Sequence, residues 1–283
     1  AYIKHEDSIL PKGGEVCFQC ALLYTTSDTG QRRIRVHTLS VPTTMVMGSI
    51  YRSADLDSQM MAILGGLEDA KDVKEAKEEA TKACVGILYA YRKYCATSSA
   101  TGQLILPEAL KLMPIKMLGF IKGLSEGGCV TFPFVWTSLS GLDYQISPSL
   151  VALHSGGKLL SCSSEAMDDD AVLLLLENNV GYVWVGVGVY PPVLQKIFAH
   201  QDYESIQRKL DRGEWWRGEE GLLYQMVDRL CDPSRHLRLK FVARGSGAET
   251  KLIRKLIEDR TQSGMSYVEY LCHVHRQIQN RFL

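Results

Sequence analysis

The hydrophobic and polar positions change period four times along this chain. Residues 16–24, VCFQCALLY, form an apolar run rich in strand-forming side chains, and Asp28, Thr29 and Gly30 supply a turn. Arg32 to Leu39 then alternate as a strand should. Ile34 and Val36 are expected toward a core, with Arg33, Arg35 and His37 sharing the opposite face. Two strands alone are marginal in water, so this hairpin is expected to complete a sheet whose other strands come from elsewhere.

From about Ser53 the period becomes helical. Met60, Met61, Ile63, Leu64 and Leu67 form one apolar segment; Val73, Ala76, Ala80, Ala83, Ile87, Tyr91 and Tyr94 then recur at three and four. The charges between them (Lys71, Asp72, Lys74, Glu75, Lys77, Glu78, Glu79) read as a solvated helix face. Pro107 opens a further helix that buries Leu110, Met113, Met117, Leu118 and Ile121, with Pro114 expected to interrupt it. After Pro148 the pattern turns back to strands. Ala171–Glu177 and Gly181–Gly186 read as a hairpin across Asn178-Asn179, a helix includes Gln195 to Phe198, and Leu237 to Val242 alternate as a late strand. Near the C-terminus Ser266 stands three residues before Glu269, the capping-box spacing, ahead of an apolar stripe at Tyr267, Leu271, Val274 and Ile278.

Composition narrows the class. With 283 residues the chain has room for two domains or one large one. Its 32 basic and 32 acidic residues cancel, so no global field points to nucleic acid. Eight cysteines scattered over this length make no compact disulfide framework and read as buried, reduced thiols. No signal peptide and no apolar run of about 18 residues is present, so the chain is read as cytosolic. The start at Ala1, inside strand-like sequence, suggests a fragment of a larger protein.

Candidate chemistry is sparse. Cys17-x-x-Cys20 has half the spacing of a zinc site, but a structural zinc needs four ligands, and on a strand these thiols face opposite sides. Cys272, His273 and His275 point in different directions on a helix. Gly186-x-Gly188 is followed by Pro191 where a dinucleotide fingerprint needs glycine. Gly245-Ser246-Gly247 is a loop, and Asp168-Asp169-Asp170 reads as a solvated turn rather than a calcium site. Trp215-Trp216 is either a contact surface or the cover of a core. Nothing compels an enzyme. Arg33 and Arg35 stand out, because strand spacing puts two guanidinium forks on one face, where they can grip carboxylates. The plain alternative is two solvated arginines on an edge strand.

Three stretches carry a resemblance to a known family. LIEDRTQSGMSYVEYLCHVHRQIQ (256–279) resembles the C-terminus of the Sec-twenty-four family, the cargo-adaptor subunit of the coat protein complex II (COPII) inner shell. Leu23 to Ser27 with Gly30 to Leu39 looks like that family's strand pair near the end of its β-sandwich, and LPEALKLMPIKMLGFIKG looks like part of its all-helical domain. LLLLENNVGYVWVG followed by VLQKIF looks like a gelsolin-like module.

The resemblance implies an α+β, multidomain fold with a β-sandwich portion, an all-helical domain and a gelsolin-like α/β module. The expected boundaries are 1–48 for the sandwich portion, 49–147 for the helical domain, completed by 249–283, and 148–248 for the gelsolin-like domain. It implies a non-catalytic adaptor that recognises sorting signals of cargo and SNARE proteins leaving the endoplasmic reticulum. Arg33 and Arg35 would take acidic cargo signals. The implied partner is a Sec-twenty-three-type subunit, bound through a trunk outside this chain. Zinc is expected only in an N-terminal module outside it, and no cofactor within it. Localisation would be cytoplasmic, peripheral on ER exit-site membranes and COPII vesicles. The rival readings are the GTPase-activating sister subunit and an actin-binding gelsolin relative.

Overall fold

The computed structural model describes residues 13–67, 70–97, 102–125, 148–177, 180–212, 222–262 apart from 231–236, and 264–283. The described chain is α+β in three parts. Strands β1 (Glu15–Thr25) and β2 (Arg32–Pro42) pair antiparallel in a two-stranded sheet of their own. Ile34 is 67% exposed and Val36 50%, so the expected core side is bare. The alternation was read correctly, but among the described residues no element covers either face.

The helical part begins earlier than the period change suggested, with α1 (Met47–Arg52), followed by α2 (Leu56–Gly65), α3 (Val73–Cys95) and α4 (Met113–Ser125). Asp55 caps α2 through the Ser58 N–H at 2.8 Å, and Asp72 caps α3 through the Glu75 N–H at 2.7 Å, each satisfying a donor that the first turn leaves open. On α3 the buried line is Ala76, Ala80, Cys84, Leu88 and Arg92, with Val85 beside it. Val73 and Tyr94, expected inside, lie at the two ends of the stripe, and both are exposed. Pro114 does not interrupt a helix. It is the second residue of α4, where a missing N–H leaves no intrahelical bond unmade.

The third part is a five-stranded sheet in the order β4-β3-β5-β6-β7, formed by β3 (Ser149–Ala152), β4 (Lys158–Leu160), β5 (Val172–Glu177), β6 (Val180–Val185) and β7 (Arg238–Ala243). β5 and β6 pair antiparallel as expected, while the Asn178-Asn179 turn lies outside the described residues. β6 and β7 run parallel, so the chain between them crosses over the sheet. That crossover holds α5 (Pro191–Phe198), α6 (Tyr203–Asp211) and α7 (Leu222–Leu230). Leu194, Ile197, Phe198, Ile206, Leu210, Leu223, Met226 and Val227 cover one face of the sheet, meeting Val172, Leu174, Leu176 and Val183. The other face, with Leu173, Leu175, Trp184 and Val242, is covered by Leu252 of α8 (Gly247–Ile253) and by Leu256 and Ile257. β5 is thus buried on both sides, which is why its sequence is a continuous apolar run. The Trp184 Nε1–H donates to Glu249 Oε1 at 2.8 Å, fixing α8 to the sheet. Gly186 has no room for a side chain, since a Cβ there would overlap the Asp169 carbonyl.

The last helix, α9 (Tyr267–Asn280), returns to the helical part. It buries Tyr270, Val274 and Ile278 against α3 and α4. Tyr270 replaces Leu271 as the deeply buried residue of the stripe, because four-residue spacing from Val274 and Ile278 leads to it. Of the six described cysteines, Cys84 and Cys162 are buried, and burial pushes both thiols up to about 12, so they stay protonated and unreactive. Cys17, Cys20 and Cys272 are exposed, against the expectation of buried thiols.

One buried cation joins the helical part to the sheet part. Lys122 of α4 is 5% exposed and donates to the Ile257 carbonyl at 2.7 Å and to the Asp259 carbonyl. Lys122→Met keeps the aliphatic stem but leaves those carbonyls short of a donor. The expected loss is about 3 kcal/mol of stability, from charge-assisted bonds of roughly 1.5–3 kcal/mol each. A urea unfolding curve with an unchanged midpoint would show that Lys122 holds nothing.

Candidate functional site

The turn between β1 and β2 sets everything on the hairpin, because its length fixes the register. The Thr26 N–H donates to the Gln31 carbonyl and the Gly30 N–H to the Thr26 carbonyl, both at 3.0 Å, and the Thr26 and Thr29 hydroxyls meet at 2.6 Å. Gly30 has φ +65°, a left-handed conformation that glycine takes without strain. The Asp28 carboxyl is held below its ordinary range, chiefly by the Thr29 N–H.

In that register Arg33 stands opposite Tyr24, Arg35 opposite Leu22 and His37 opposite Cys20. Directly opposed residues share a face, so one surface carries Arg33, Arg35, His37, Tyr24, Leu22 and Cys20 together. Every residue of β2 is exposed, Arg33 and Arg35 among them, and Leu22, opposite Arg35, is 57% exposed beside them. The Arg33 Nη2–H donates to Gln31 Oε1 at 3.2 Å, which steadies one fork at the turn end. Two residues along a strand separate the arginine Cα atoms by roughly 7 Å. Two guanidinium groups at that spacing, beside an exposed leucine and a tyrosine ring, can take two carboxylates and an apolar side chain of an extended peptide. Tyr24 and Leu22 were not foreseen as part of this face. Their membership follows from the register, which rests on the six-residue turn and not on strand periodicity.

The other candidates are dispersed. Cys17 pairs with Ser40 on the face away from Cys20, its thiol 3.7 Å from the Ser40 hydroxyl. His273 Nε2 meets Gln277 at 2.8 Å, Cys272 is exposed, and His275 turns its Nε2 into the protein. Asp169 pairs with Arg244, and its carbonyl accepts the Gly188 N–H at 2.8 Å, so the acidic turn closes on the protein itself. Trp215-Trp216 lies outside the described residues.

The EDRT sequence proves to be a junction. The Glu258 carboxylate accepts the Cys162 N–H at 2.8 Å while the Glu258 N–H returns a bond to the Cys162 carbonyl at 3.1 Å. Asp259 accepts from the Ser163 hydroxyl at 2.6 Å and the Ser164 N–H at 2.8 Å. Arg260 reaches Glu269 at 3.0 Å, and Thr261 pairs with Gly264 across the turn. Ser266 and Glu269 form the expected capping box, with the Ser266 N–H donating to Glu269 at 2.8 Å and the Glu269 N–H to the Ser266 hydroxyl at 3.3 Å.

These parts have counterparts among known proteins. The Sec23/Sec24 beta-sandwich domain model matches residues 1–44 and the Sec23/Sec24 helical domain model matches 60–126. Protein transport protein SEC24 B of Arabidopsis thaliana is 35% identical over 99% of this chain. The chain belongs to the Sec24 family. Protein transport protein Sec24C of Homo sapiens is 30% identical over 98% of the chain. The crystal structure of the human COPII-coat protein Sec24c superposes with a TM-score of 0.73 and 28% identity, over 94% of this chain and 37% of that one. The chain spans 27% of the length of each of these two Sec24 relatives.

In this Sec24-family chain the capping box carries a pH dependence. The Glu269 carboxyl is held below its ordinary value of 4.5, first by the Ser266 N–H, with the Ser266 hydroxyl and Arg260 acting in the same direction. A depressed carboxyl pKa contributes stability that is complete above 4.5 and is lost as pH falls below it through the folded value. Glu269→Gln removes the charge, so wild type should melt higher at neutral pH and the gap should close on acidification. Thermal melts showing a gap that persists in acid would assign the effect to shape instead of charge.

Proposed function

We propose that this chain is the C-terminal part of a COPII cargo adaptor, a non-catalytic subunit that selects membrane cargo by its sorting signals. The observation that carries the reading is the exposed hairpin face on which Arg33, Arg35, Leu22 and Tyr24 stand together. Charge-assisted, fork-shaped bonds to acidic side chains give orientation as well as affinity, and the neighbouring apolar groups reward a hydrophobic residue in the signal. The names of the relatives support the coat role: protein transport proteins and a COPII-coat protein.

The division of labour follows the three parts. Residues 1–48 would contribute strands to a β-sandwich, 49–147 and α9 the helical domain, and the sheet with α5 to α8 a gelsolin-like domain. Helix α8 goes with the sheet because Leu252 packs there. A Sec-twenty-three-type partner would bind through a trunk outside this chain, at the cytoplasmic surface of ER exit-site membranes. Among the described residues no helix is long and apolar enough to cross a membrane, which suits peripheral attachment. Within this chain the reading needs no cofactor; zinc would belong to a separate N-terminal module. Relatives named as Sec24 along nearly the whole chain weigh against both the sister subunit and an actin-binding protein.

The test is binding of a labelled di-acidic sorting-signal peptide to full-length protein, wild type against Arg33→Ala/Arg35→Ala. Affinity should fall at least about tenfold, equivalent to roughly 1.4 kcal/mol, with an unchanged melting curve. Equal affinity would take the cargo role away from these arginines.

A further inference from the structure

The far end of the helical part carries a second cationic surface, built differently from the hairpin. Where α3 and α9 lie side by side, Tyr89 packs on Phe282 with ring centroids 4.8 Å apart. The Arg281 guanidinium lies 5.8 Å from the centre of the Tyr89 ring. It rests over Gly86, whose missing side chain leaves the α3 surface open beneath it. The Lys93 ammonium stands between two rings, 5.7 Å from Tyr89 and 5.4 Å from Tyr94. Tyr94 is 56% exposed and Phe282 50%, and both cations are exposed.

The rings hold these cations in place without neutralising them. A cation over an exposed ring is worth about 0.5–1 kcal/mol, and the ammonium and guanidinium keep free N–H donors on the solvent side. The neighbouring stretches, 80–107 and 270–283, supply no acidic side chain to take them. These stretches stand out in a sequence whose acids and bases balance at 32 each. The surface therefore combines two pre-placed cations with two exposed aromatic rings.

We propose that Tyr89, Lys93, Tyr94, Arg281 and Phe282 form a second peptide-docking site, for a short acidic segment that carries an apolar side chain beside its carboxylates. The guanidinium takes one carboxylate with two parallel bonds, the ammonium takes another, and the Tyr94 and Phe282 rings cover the apolar group. An anionic membrane fits less well. Two cations contribute only about 1 kcal/mol each at such a surface, too little to hold a chain of zero net charge. The site lies on a different part of the fold from Arg33 and Arg35, and stands whether or not the hairpin binds cargo.

The experiment measures fluorescence polarisation of a labelled peptide alternating glutamate and phenylalanine, with its glutamine counterpart as control. The proteins are full-length wild type, Lys93→Glu/Arg281→Glu, Tyr94→Ala and Arg33→Ala/Arg35→Ala. Vesicles containing phosphatidylserine form a parallel arm. The proposal expects binding of the glutamate peptide only, at least about tenfold weaker in the charge-reversed variant and weaker in Tyr94→Ala. It also expects a residual component that survives Arg33→Ala/Arg35→Ala. No binding by wild type at millimolar peptide, or equal affinity in the charge-reversed variant, overturns it. So does vesicle binding that the charge reversal abolishes while peptide binding stays. All substituted side chains are exposed, and melting curves confirm that each variant is folded.

Discussion

A buried ammonium on α4 sets the geometry of most of this molecule. Taking Lys122 out of water carries a penalty of several kcal/mol, so the charge is tolerable only where carbonyl oxygens are already aimed at it. The Ile257 and Asp259 carbonyls do this at a point where the backbone leaves α8 and turns toward α9. The same turn offers its side chains outward, Glu258 and Asp259 to residues 162–164 of the sheet part and Arg260 to the start of α9. One short segment therefore fixes three directions at once. Ile115, two turns before Lys122 on the same face of α4, packs against that side of the sheet and closes the contact with apolar surface.

This explains why the EDRT stretch is so recognisable as a string. Glu258 and Asp259 both bond residues 162–164, Arg260 bonds Glu269, and Thr261 pairs with Gly264 through the backbone. A substitution at Glu258 or Asp259 would leave half-buried donors of residues 162–164 unmatched, which is harder to absorb than a change in an apolar stripe. The capping box was legible because its two residues are three apart and meet locally. The Cys162, Ser163 and Ser164 contacts were not, since about 95 residues separate the partners and no local pattern encodes them. Lys122 was invisible for the same reason. A lysine near the end of an amphipathic helix reads as solvated, and only the tertiary approach of 257–259 buries it.

Other differences between pattern and structure have similar causes. Spacing identified α3 as a helix but placed Val73 and Tyr94 inside, because periodicity fixes a face and not where the neighbouring helices end. β5 and β6 were legible from two short apolar runs, leucine-rich in β5 and with Val, Tyr and Trp in β6, on either side of Asn178-Asn179 in the sequence. β3 and β4 are only four and three residues long, too short to show any period. The parallel pairing of β6 with β7 depends on a crossover of about 50 residues, and topology of that kind leaves no trace in a local window.

The hairpin obeys a different constraint from the rest. Leu23, Ile34 and Val36 share one of its faces and Leu22 and Leu39 the other, all at least half exposed, yet the turn bonds and full ladder still hold one register. An apolar face of that size is stable only when something covers it, and the side bearing Ile34 carries charge only at its two ends, Arg32 and Glu15. The side bearing Arg33 and Arg35 differs, since a covering sheet would have to desolvate two guanidinium groups. The two faces are therefore not equivalent. Physical chemistry favours a packed layer on the Ile34 side, which leaves the arginine side at the surface, where the proposed signal recognition requires it. The aromatic and cationic surface around Tyr89 reaches the same outcome by another route, because its cations are held by rings and not by a strand register. A peptide with alternating acidic and apolar residues satisfies both, and the distinction between the two sites then rests on backbone: an extended partner matches the hairpin, while the helix ends impose no such form.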